Sequence, residues 1–415
     1  MIRFDPHRRA ASPELKAAVR ALASFLEQRE GRKRCRTERE HAVHRLAADA
    51  VACNLIAASL IGPGTSVAIE RGHDAMFGHA RYRSPVYGRH FVTILDTMLD
   101  AKLITATTGF RVSPQIRKAS TIRATAALAQ HLPLGTSRAD WQSIKRDVAD
   151  EEVLILKGTK GAKGEAPLLD YADTPETARL RRQVQKLNAR LAKAPITILA
   201  TTDSLGRPID PTQCTLTRIF NNGRWDEGGR IGNGAFWTGM TRDDRFNLIR
   251  IDGERIASAD FAQCQPRILF ALSGADQPNG DLYDFGDGHR RGWQQLIVAS
   301  LFARKPLGSW PFGCRENFEP DPPHLRDAIA EIEFRLAPIA DYLGTGIGHR
   351  LAKIEGDMIL RATEALLRQR VVALPVYDCL YVARRHVEAA RDAMQAAADR
   401  LAGGVVKIDL GPEEE

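Results

Sequence analysis

Two apolar segments that meet at an acidic residue constrain the fold of this chain most strongly. Residues 371–383 read VVALPVYDCLYVA, which are two strand-like halves joined at Tyr377-Asp378. A helical pattern from His386 follows, and then another strand-like run, VVKIDLG, at 405–411. An acidic residue at the tip of a hairpin between buried strands is a poor core residue and a good metal ligand. The pattern predicts a sheet that presents Asp378 at a strand end.

A second acidic residue ends another predicted strand. Residues 256–272 read IASADFAQCQPRILFAL, a strand that ends at Asp260 and a helix with Pro266 at its first position. Proline is favoured there because the first helical N–H has no partner within the helix. If the two strands are neighbours, Asp260 and Asp378 are placed to hold two Mg²⁺ or Mn²⁺ ions about 3.5–4 Å apart. Such a pair activates an attacking hydroxyl and stabilises the leaving group in phosphoryl transfer.

Charge and composition indicate which kinds of partner and which cellular compartment to expect. The net charge of +8 over 415 residues favours a polyanionic partner, although a basic soluble enzyme without one fits equally well. The six cysteines lie far apart and show no metal-ligand spacing, which indicates reduced thiols. We recognise no apolar leader and no run of membrane-spanning length, so we expect a cytoplasmic protein without a membrane partner.

The first 135 residues predict a mainly helical domain. Helices are expected near 39–60, after the basic stretch GRKRCRTER, and over 90–104. The run ITATTGFRV predicts a strand pair with Gly109 at its turn, and STIRATAALAQHL, at 120–132, predicts a helix. This order is typical of a winged-helix module that binds nucleic acid, and equally of an ordinary helical cap.

Several motifs in the carboxy-terminal half resemble those of the family A DNA polymerases. ADFAQCQPRILFALSG, from Ala259, is similar to their motif A, and VYDCLYV, from Val376, is similar to their motif C. RIFNNGRWDEGGRIG, at 218–232, precedes motif A where such enzymes line the template and primer. The resemblance covers roughly residues 200–412, and the single-subunit phage RNA polymerases, which share this palm, are the sister possibility. It implies an α+β fold, a polymerase palm with an antiparallel sheet and helices.

The resemblance also implies roles for individual residues. Asp260 and Asp378 would be the catalytic metal ligands, with the Phe261 carbonyl as a further metal contact. Tyr377 takes the place of the motif C histidine near the primer end. The residues implied along the template and primer are Arg218, Asn221, Arg230 and Tyr377.

The implied nucleotide site departs from the family pattern. Gln265 stands where the DNA polymerases usually have the glutamate that excludes a ribose 2′-hydroxyl. We therefore predict weaker discrimination against ribonucleotides, and still weaker discrimination after Gln265→Ala. In the candidate motif B, residues 288–311, Arg290 and Arg291 would meet the triphosphate, but Gln294 and Gln295 stand where the family has lysine. Lys305, or Arg304, is the candidate to supply that missing charge.

These observations predict three domains and one leading function. The domains are a nucleic-acid-binding domain at 1–135, a linker with a thumb-like helix at 136–200, and a palm at 201–415 with reduced fingers at about 275–345. The loop LKGTKGAKGE, at 156–165, suits phosphates or a solvated linker.

The leading function is template-directed nucleotidyl transfer, a DNA polymerase without proofreading that uses two Mg²⁺ or Mn²⁺ ions. Its partners would be a DNA or RNA template-primer and nucleoside triphosphates. The alternatives are a primase or RNA polymerase that uses ribonucleotides, a degenerate nucleic-acid-binding protein, and a metal-dependent nuclease. The sequence leaves open the product, the primer requirement and the process served.

Overall fold

The protein divides into two compact units, and neither is a continuous stretch of chain. The computed structural model describes residues 1–70, 72, 76, 78, 81–111, 117–134, 140–149, 151–161, 166–404 and 406–411. The first unit combines Met1–Glu152 with Ile198–Thr215, and the second combines Val153–Thr197 with Leu216–Glu415. Helices and sheets are mixed, as the predicted α+β class requires.

This division places the ends of the units elsewhere than the predicted domain boundaries at 135 and 200, which remain predictions. Asp210 forms an ion pair with the buried Arg8, and Thr215 accepts a hydrogen bond from Arg146. These contacts join the segment 198–215 to the first unit, although it lies beyond the predicted linker. No local pattern in the sequence indicates this return of the chain.

The first unit packs helices against a four-stranded sheet of order β1-β3-β7-β4. Its helices are α1 (Pro13–Arg29), α2 (Glu38–Ile61) and α3 (Arg89–Asp100). Its strands are β1 (Ile2–Arg3), β2 (Arg8–Ala10), β3 (Val67–Ile69), β4 (Ile104–Thr107), β5 (Phe110–Arg111), β6 (Arg117–Lys118), β7 (Ser120–Ala124) and β8 (Ile144–Arg146). Strand β7 pairs antiparallel with both β3 and β4.

Helix α2 forms where the sequence predicts it, with one further residue at each end. Thr37 caps its first turn, and the Glu40 side chain reaches back to the Thr37 backbone, which satisfies the free N–H groups there. By length and composition alone, the 24-residue helix is long and apolar enough to cross a membrane. The prediction that the chain has no run of membrane-spanning length is therefore wrong. Its most apolar window is 67% buried, as in the core helix of a globular unit.

The predicted hairpin around Gly109 is replaced by a different pairing. Strand β4 pairs with β7 instead of with the residues that directly follow Gly109, and the short strands β5 and β6 pair with each other. A Cβ at Gly109 would lie 2.2 Å from the Lys118 carbonyl oxygen, so only glycine allows the two segments to approach this closely. Residues 120–124 form β7 and not the predicted helix, because Ile122 fills the core between two strands. Val112, the last residue of the predicted pair, lies outside the described residues.

The second unit is organised around a six-stranded sheet in which β13–β14, β14–β16, β14–β17 and β15–β16 pair antiparallel. Its strands run in the order β10-β13-β14-β16-β15, with β17 paired to the free part of β14, and a second sheet has the order β12-β11-β9. The strands are β9 (Leu154–Leu156), β10 (Ile196–Ile198), β11 (Thr217–Phe220), β12 (Gly228–Asn233), β13 (Ile249–Ile251), β14 (Glu254–Phe261), β15 (Ala373–Val376), β16 (Cys379–Ala383) and β17 (Ile408–Leu410). The helices are α4 (Pro175–Leu191), α5 (Arg242–Leu248), α6 (Cys264–Ser273), α7 (Arg290–Phe302), α8 (Leu325–Arg335), α9 (Gly348–Arg368) and α10 (Val387–Ala402).

Helices cover one face of this sheet and fix the strands that carry the acidic residues. Leu380 and Val382 of β16 are fully buried in one core with Met358 of α9 and Met394 of α10. Burying each such side chain contributes roughly 1.5–3 kcal/mol relative to exposure. The strand ends are therefore held by a rigid core, which is what a precise site requires.

The predicted thumb-like segment forms a helix, α4. Thr174 caps it, and a stripe of apolar side chains on one face is buried. The members of that stripe are Leu180, Val184, Leu187 and Leu191. Of the preceding lysine-rich loop, residues 162–165 lie outside the described part of the chain.

Candidate active site

Asp260 and Asp378 are brought to the same end of neighbouring strands. Strand β14 pairs with β16 so that Asp260 lies opposite Cys379, the residue that follows Asp378. The Phe261 N–H donates to the Asp378 carbonyl oxygen at 3.1 Å, which fastens the end of β14 to the turn between β15 and β16. Tyr377 in that turn has a φ of 55°, in the left-handed region that a bulky residue rarely adopts. Such local strain is typical of functional sites.

The electrostatics of this pair favour a bound cation. Burial raises the pKa of Asp260 above its ordinary value, and the Asp378 carboxylate raises it further. Burial also raises the pKa of Asp378. The Asp260 Oδ1 atom is buried and has no hydrogen-bond partner among the described residues. The ionised forms of two adjacent buried carboxylates repel each other, and the Asp260 Oδ1 atom lacks a hydrogen bond from any described residue. A cation bound between them would offset both costs.

A third carboxylate, Asp409, faces Asp260 from the other side. Strand β17 pairs with β14 so that Asp409 lies directly opposite Asp260. The Asp409 carboxylate is exposed, lines the same cavity, and adds to the rise of the Asp260 pKa. Sequence reasoning recognised the strand VVKIDLG but missed this residue, although its single acidic position within the strand was a usable signal.

The acidic residues line a cavity of about 540 Å³. Helix α7 contributes one face to it, through side chains spaced four residues apart. These are Arg290, Gln294 and Val298. Arg290 is half exposed, pairs with Asp281, and lies over the Tyr283 ring at 5.6 Å. Its guanidinium is placed to meet a phosphate that enters the cavity.

Glu355 of α9 forms the buried floor of the cavity. It is fully buried, and its Oε2 accepts from Arg230 Nη2 at 2.7 Å and from Gln265 Nε2 at 3.2 Å. Burial raises the pKa of Glu355 to about 7, against the lowering effect of Arg230. From sequence alone Glu355 is interpreted as a solvated helix residue near the primer or metal region, because it lies on a helix outside the acidic strand motifs.

The other predicted site residues fall into two groups. Phe261, Gln265, Arg230, Arg290 and Tyr377 all line the cavity with the two aspartates. Arg291 is exposed in the first turn of α7 but does not line it, and Asn221 lies half-buried in the loop between β11 and β12. Their predicted contacts with nucleotide and template remain predictions.

The prediction for Arg218 is corrected, and that for Lys305 stays a prediction. Arg218 is fully buried, and it donates to the Gly229 carbonyl oxygen at 2.7 Å and to Asp357 at 2.9 Å. It stabilises the fold and has no surface to offer to a template or primer. Lys305 lies three residues beyond the end of α7 and is not among the residues that line the cavity, so its role in supplying the missing charge remains a prediction.

The donor set fits a hard divalent cation such as Mg²⁺ or Mn²⁺. Carboxylate oxygens are the preferred ligands of these ions, and the unused Asp260 Oδ1 is available as one. Within the described residues no group of three or more His, Cys, Asp or Glu side chains meets the geometry of a complete metal site. A pair of aspartates supplies only part of a coordination shell, and Mg²⁺ usually completes its shell with waters and substrate phosphates.

We expect Mg²⁺ to raise the thermal stability of the protein. A cation that binds only the folded state stabilises it by about 2.7 kcal/mol at a hundred times its Kd. The melting temperature should rise with MgCl₂ in the wild type and stay constant in the Asp260→Asn/Asp378→Asn variant, with NaCl at equal ionic strength as the control. An equal rise in both proteins would place the bound cation elsewhere.

Comparison with known proteins adds little to this geometry. No protein-family model matches the chain, and no curated protein matches it. Among solved structures, the POL domain of Pol1 from M. smegmatis in complex with DNA primer-template and dNTP is similar, with 16% identity and a TM-score of 0.32. The match covers 57% of this chain and 51% of that one, so the chain spans about half of that structure. A TM-score this low carries no functional argument.

Proposed function

We propose that the second unit is a template-directed nucleotidyltransferase that works with two divalent cations. The observation that carries the proposal is the convergence of Asp260 and Asp378, from neighbouring strand ends, on one cavity that also holds Arg290. The aspartates would hold the cations, which supply charge neutralisation and activate the attacking hydroxyl. Arg290 would bind the triphosphate, since a guanidinium group pairs well with phosphate oxygens.

Incorporation of nucleotides tests this function directly. The purified protein is incubated with Mg²⁺ or Mn²⁺, on primed and on unprimed templates, with deoxynucleotides and with ribonucleotides in separate reactions. Extension of a labelled primer, or new product on the unprimed template, supports the proposal. Degradation of the template without nucleotides would instead identify a metal-dependent nuclease, and binding without either reaction would identify a nucleic-acid-binding protein.

We further propose that the first unit binds nucleic acid as a winged helix. The supporting observation is its connectivity: α3 lies between β3 and β4 in the chain, and β7 returns to pair between those two strands. The connection from β4 to β7 carries the exposed Phe110 and Lys118, in the position of a wing. Arg89 is exposed at the start of α3, the helix that would contact the duplex.

Arg89→Ala and Lys118→Ala should each weaken the binding of DNA. A side chain that neutralises one phosphate affects all sequences alike and contributes about one unit to the slope of log K against log salt. Fluorescence anisotropy over a range of salt concentrations measures this slope. Lys16→Ala, which removes an exposed charge from α1, is the control and should leave the slope unchanged. Equal effects of all three substitutions would contradict a specific role for α3 and the β4–β7 connection.

A further inference from the structure

We infer that the cavity takes a ribonucleoside triphosphate, with the Gln265 carbonyl oxygen accepting a hydrogen bond from the ribose 2′-hydroxyl. The inference rests on the proposed nucleotidyl transfer and names the substrate class of that same site. It differs from a purely steric view of Gln265, in which the side chain only obstructs the sugar. The two views predict opposite results for the same substitutions.

The orientation of the Gln265 amide is set by Glu355. Arg230 donates to the same carboxylate and favours its ionised form, which only accepts hydrogen bonds, so the amide nitrogen faces it, with Nε2 3.2 Å from Oε2. The carbonyl oxygen, Oε1, consequently points away from Glu355. It is buried and has no hydrogen-bond partner in the described part of the chain.

Glu355 is itself held firmly in place. Its side chain is fully buried on α9, and Arg230 donates to the same Oε2 atom at 2.7 Å. Arg230 also lies against the Phe302 ring, with its guanidinium carbon 5.7 Å from the ring centre. These contacts make Glu355 and Arg230 positioning residues, because they act on the sugar only through Gln265.

The Gln265 Oε1 atom is free to accept a hydrogen bond from the substrate. Gln265 is only 5% exposed, yet it lines the cavity with Asp260, Asp378 and Arg290. A buried acceptor that lacks a donor is destabilising, and a ligand that supplies the donor recovers this loss. A ribose 2′-hydroxyl is a donor that a deoxyribose lacks, so the acceptor favours the ribonucleotide.

Nucleotide binding provides the test, because it does not depend on turnover. The probes are the α,β-methylene analogue of ATP and its 2′-deoxy counterpart, titrated by calorimetry into the full chain with Mg²⁺ and template-primer. We expect the ribose analogue to bind the wild type about three- to tenfold more tightly, the value of one neutral hydrogen bond. Gln265→Met keeps most of the volume but removes the acceptor, and it should bring the ratio of the two affinities to one.

Matched variants separate this role from general damage to the fold. Gln294→Ala removes a different amide from the same cavity and should leave the affinity ratio unchanged. Glu355→Met keeps most of the volume but removes the acceptor that orients the Gln265 amide, and it should lower the ratio while both analogues still bind.

Each outcome decides between the inference and the proposed function. Equal binding of the two analogues by the wild type, or a preserved ratio in Gln265→Met, overturns the inference and leaves nucleotidyl transfer standing. A ratio that rises in Gln265→Met, with freer use of ribonucleotides, supports the steric view and also overturns the inference. Absence of binding by both analogues, together with absence of incorporation, overturns the proposed function itself.

Discussion

Asp260→Asn and Asp378→Asn should each lower the rate of nucleotide incorporation by about a thousandfold or more. Each substitution removes a charged ligand from the two-cation site, and a metal ion contributes several kcal/mol of transition-state stabilisation, with a tenfold change in rate for each 1.36 kcal/mol. Single-turnover primer extension, at saturating template and nucleotide, measures the chemical step.

The fold of these variants should survive, which makes the result interpretable. Removing one charge from a crowded pair of buried carboxylates relieves repulsion, so the free energy of unfolding without metal should stay the same or rise. Asp276→Asn, in the exposed loop after α6 and outside the cavity lining, is the matched control and should be fully active. Near wild-type extension by either site variant would show that the cations, if used, are held by other residues.

Gly356→Ala should destabilise the protein and disturb the site together. A Cβ at Gly356 would lie 2.4 Å from the Gly229 carbonyl oxygen and 3.0 Å from the Arg230 Cα, so α9 must move away from β12. Overpacking of this kind costs about 1–3 kcal/mol. Glu355 precedes Gly356 in α9, and Arg230 follows Gly229 in β12. The same movement therefore separates Glu355 from Arg230.

Chemical denaturation and nucleotide affinity measure the two effects of Gly356→Ala. The free energy of unfolding should fall and the affinity for nucleotide should weaken in the same variant. Gly308→Ala, at an exposed glycine where an added Cβ has nothing within 4 Å, should change neither quantity. Unchanged stability in Gly356→Ala would mean that the helix and the strand tolerate a wider separation.

Local sequence patterns predict the strands of the second unit and the acidic residues at the strand ends. These features depend on residues that are neighbours in sequence. The alternation before Asp260 and the apolar halves around Asp378 each report burial directly, and β14, β15 and β16 form there. The pairing of β14 with β16 then brings the two residues together. Their roles as metal ligands remain a prediction.

Local patterns do not predict the burial or the partners of residues that are packed by distant segments of the chain. Arg218 looks like a surface arginine in its motif, but α9 supplies Asp357 and closes over it. Glu355 looks like a solvated helix residue, and only the packing of α9 against β12 and α6 buries it beside Arg230 and Gln265. Residues 120–124 begin the alanine-rich segment predicted as a helix, yet their β-branched Thr121 and Ile122 form a strand that pairs with β3 and β4.

The first unit is assembled from two separate stretches of the chain, and this affects how it folds during synthesis. During synthesis, residues up to Glu152 leave the ribosome well before Asp210 and Thr215, the partners of the buried Arg8 and of Arg146. An arginine buried without its carboxylate is costly, so the early part of the chain must wait for this later segment before the unit closes. Folding in strict order from the amino terminus, the usual course for successive domains, is therefore unavailable to this chain. Nascent chains arrested after residue 152 should be digested by protease, and those arrested once Thr215 has emerged should resist.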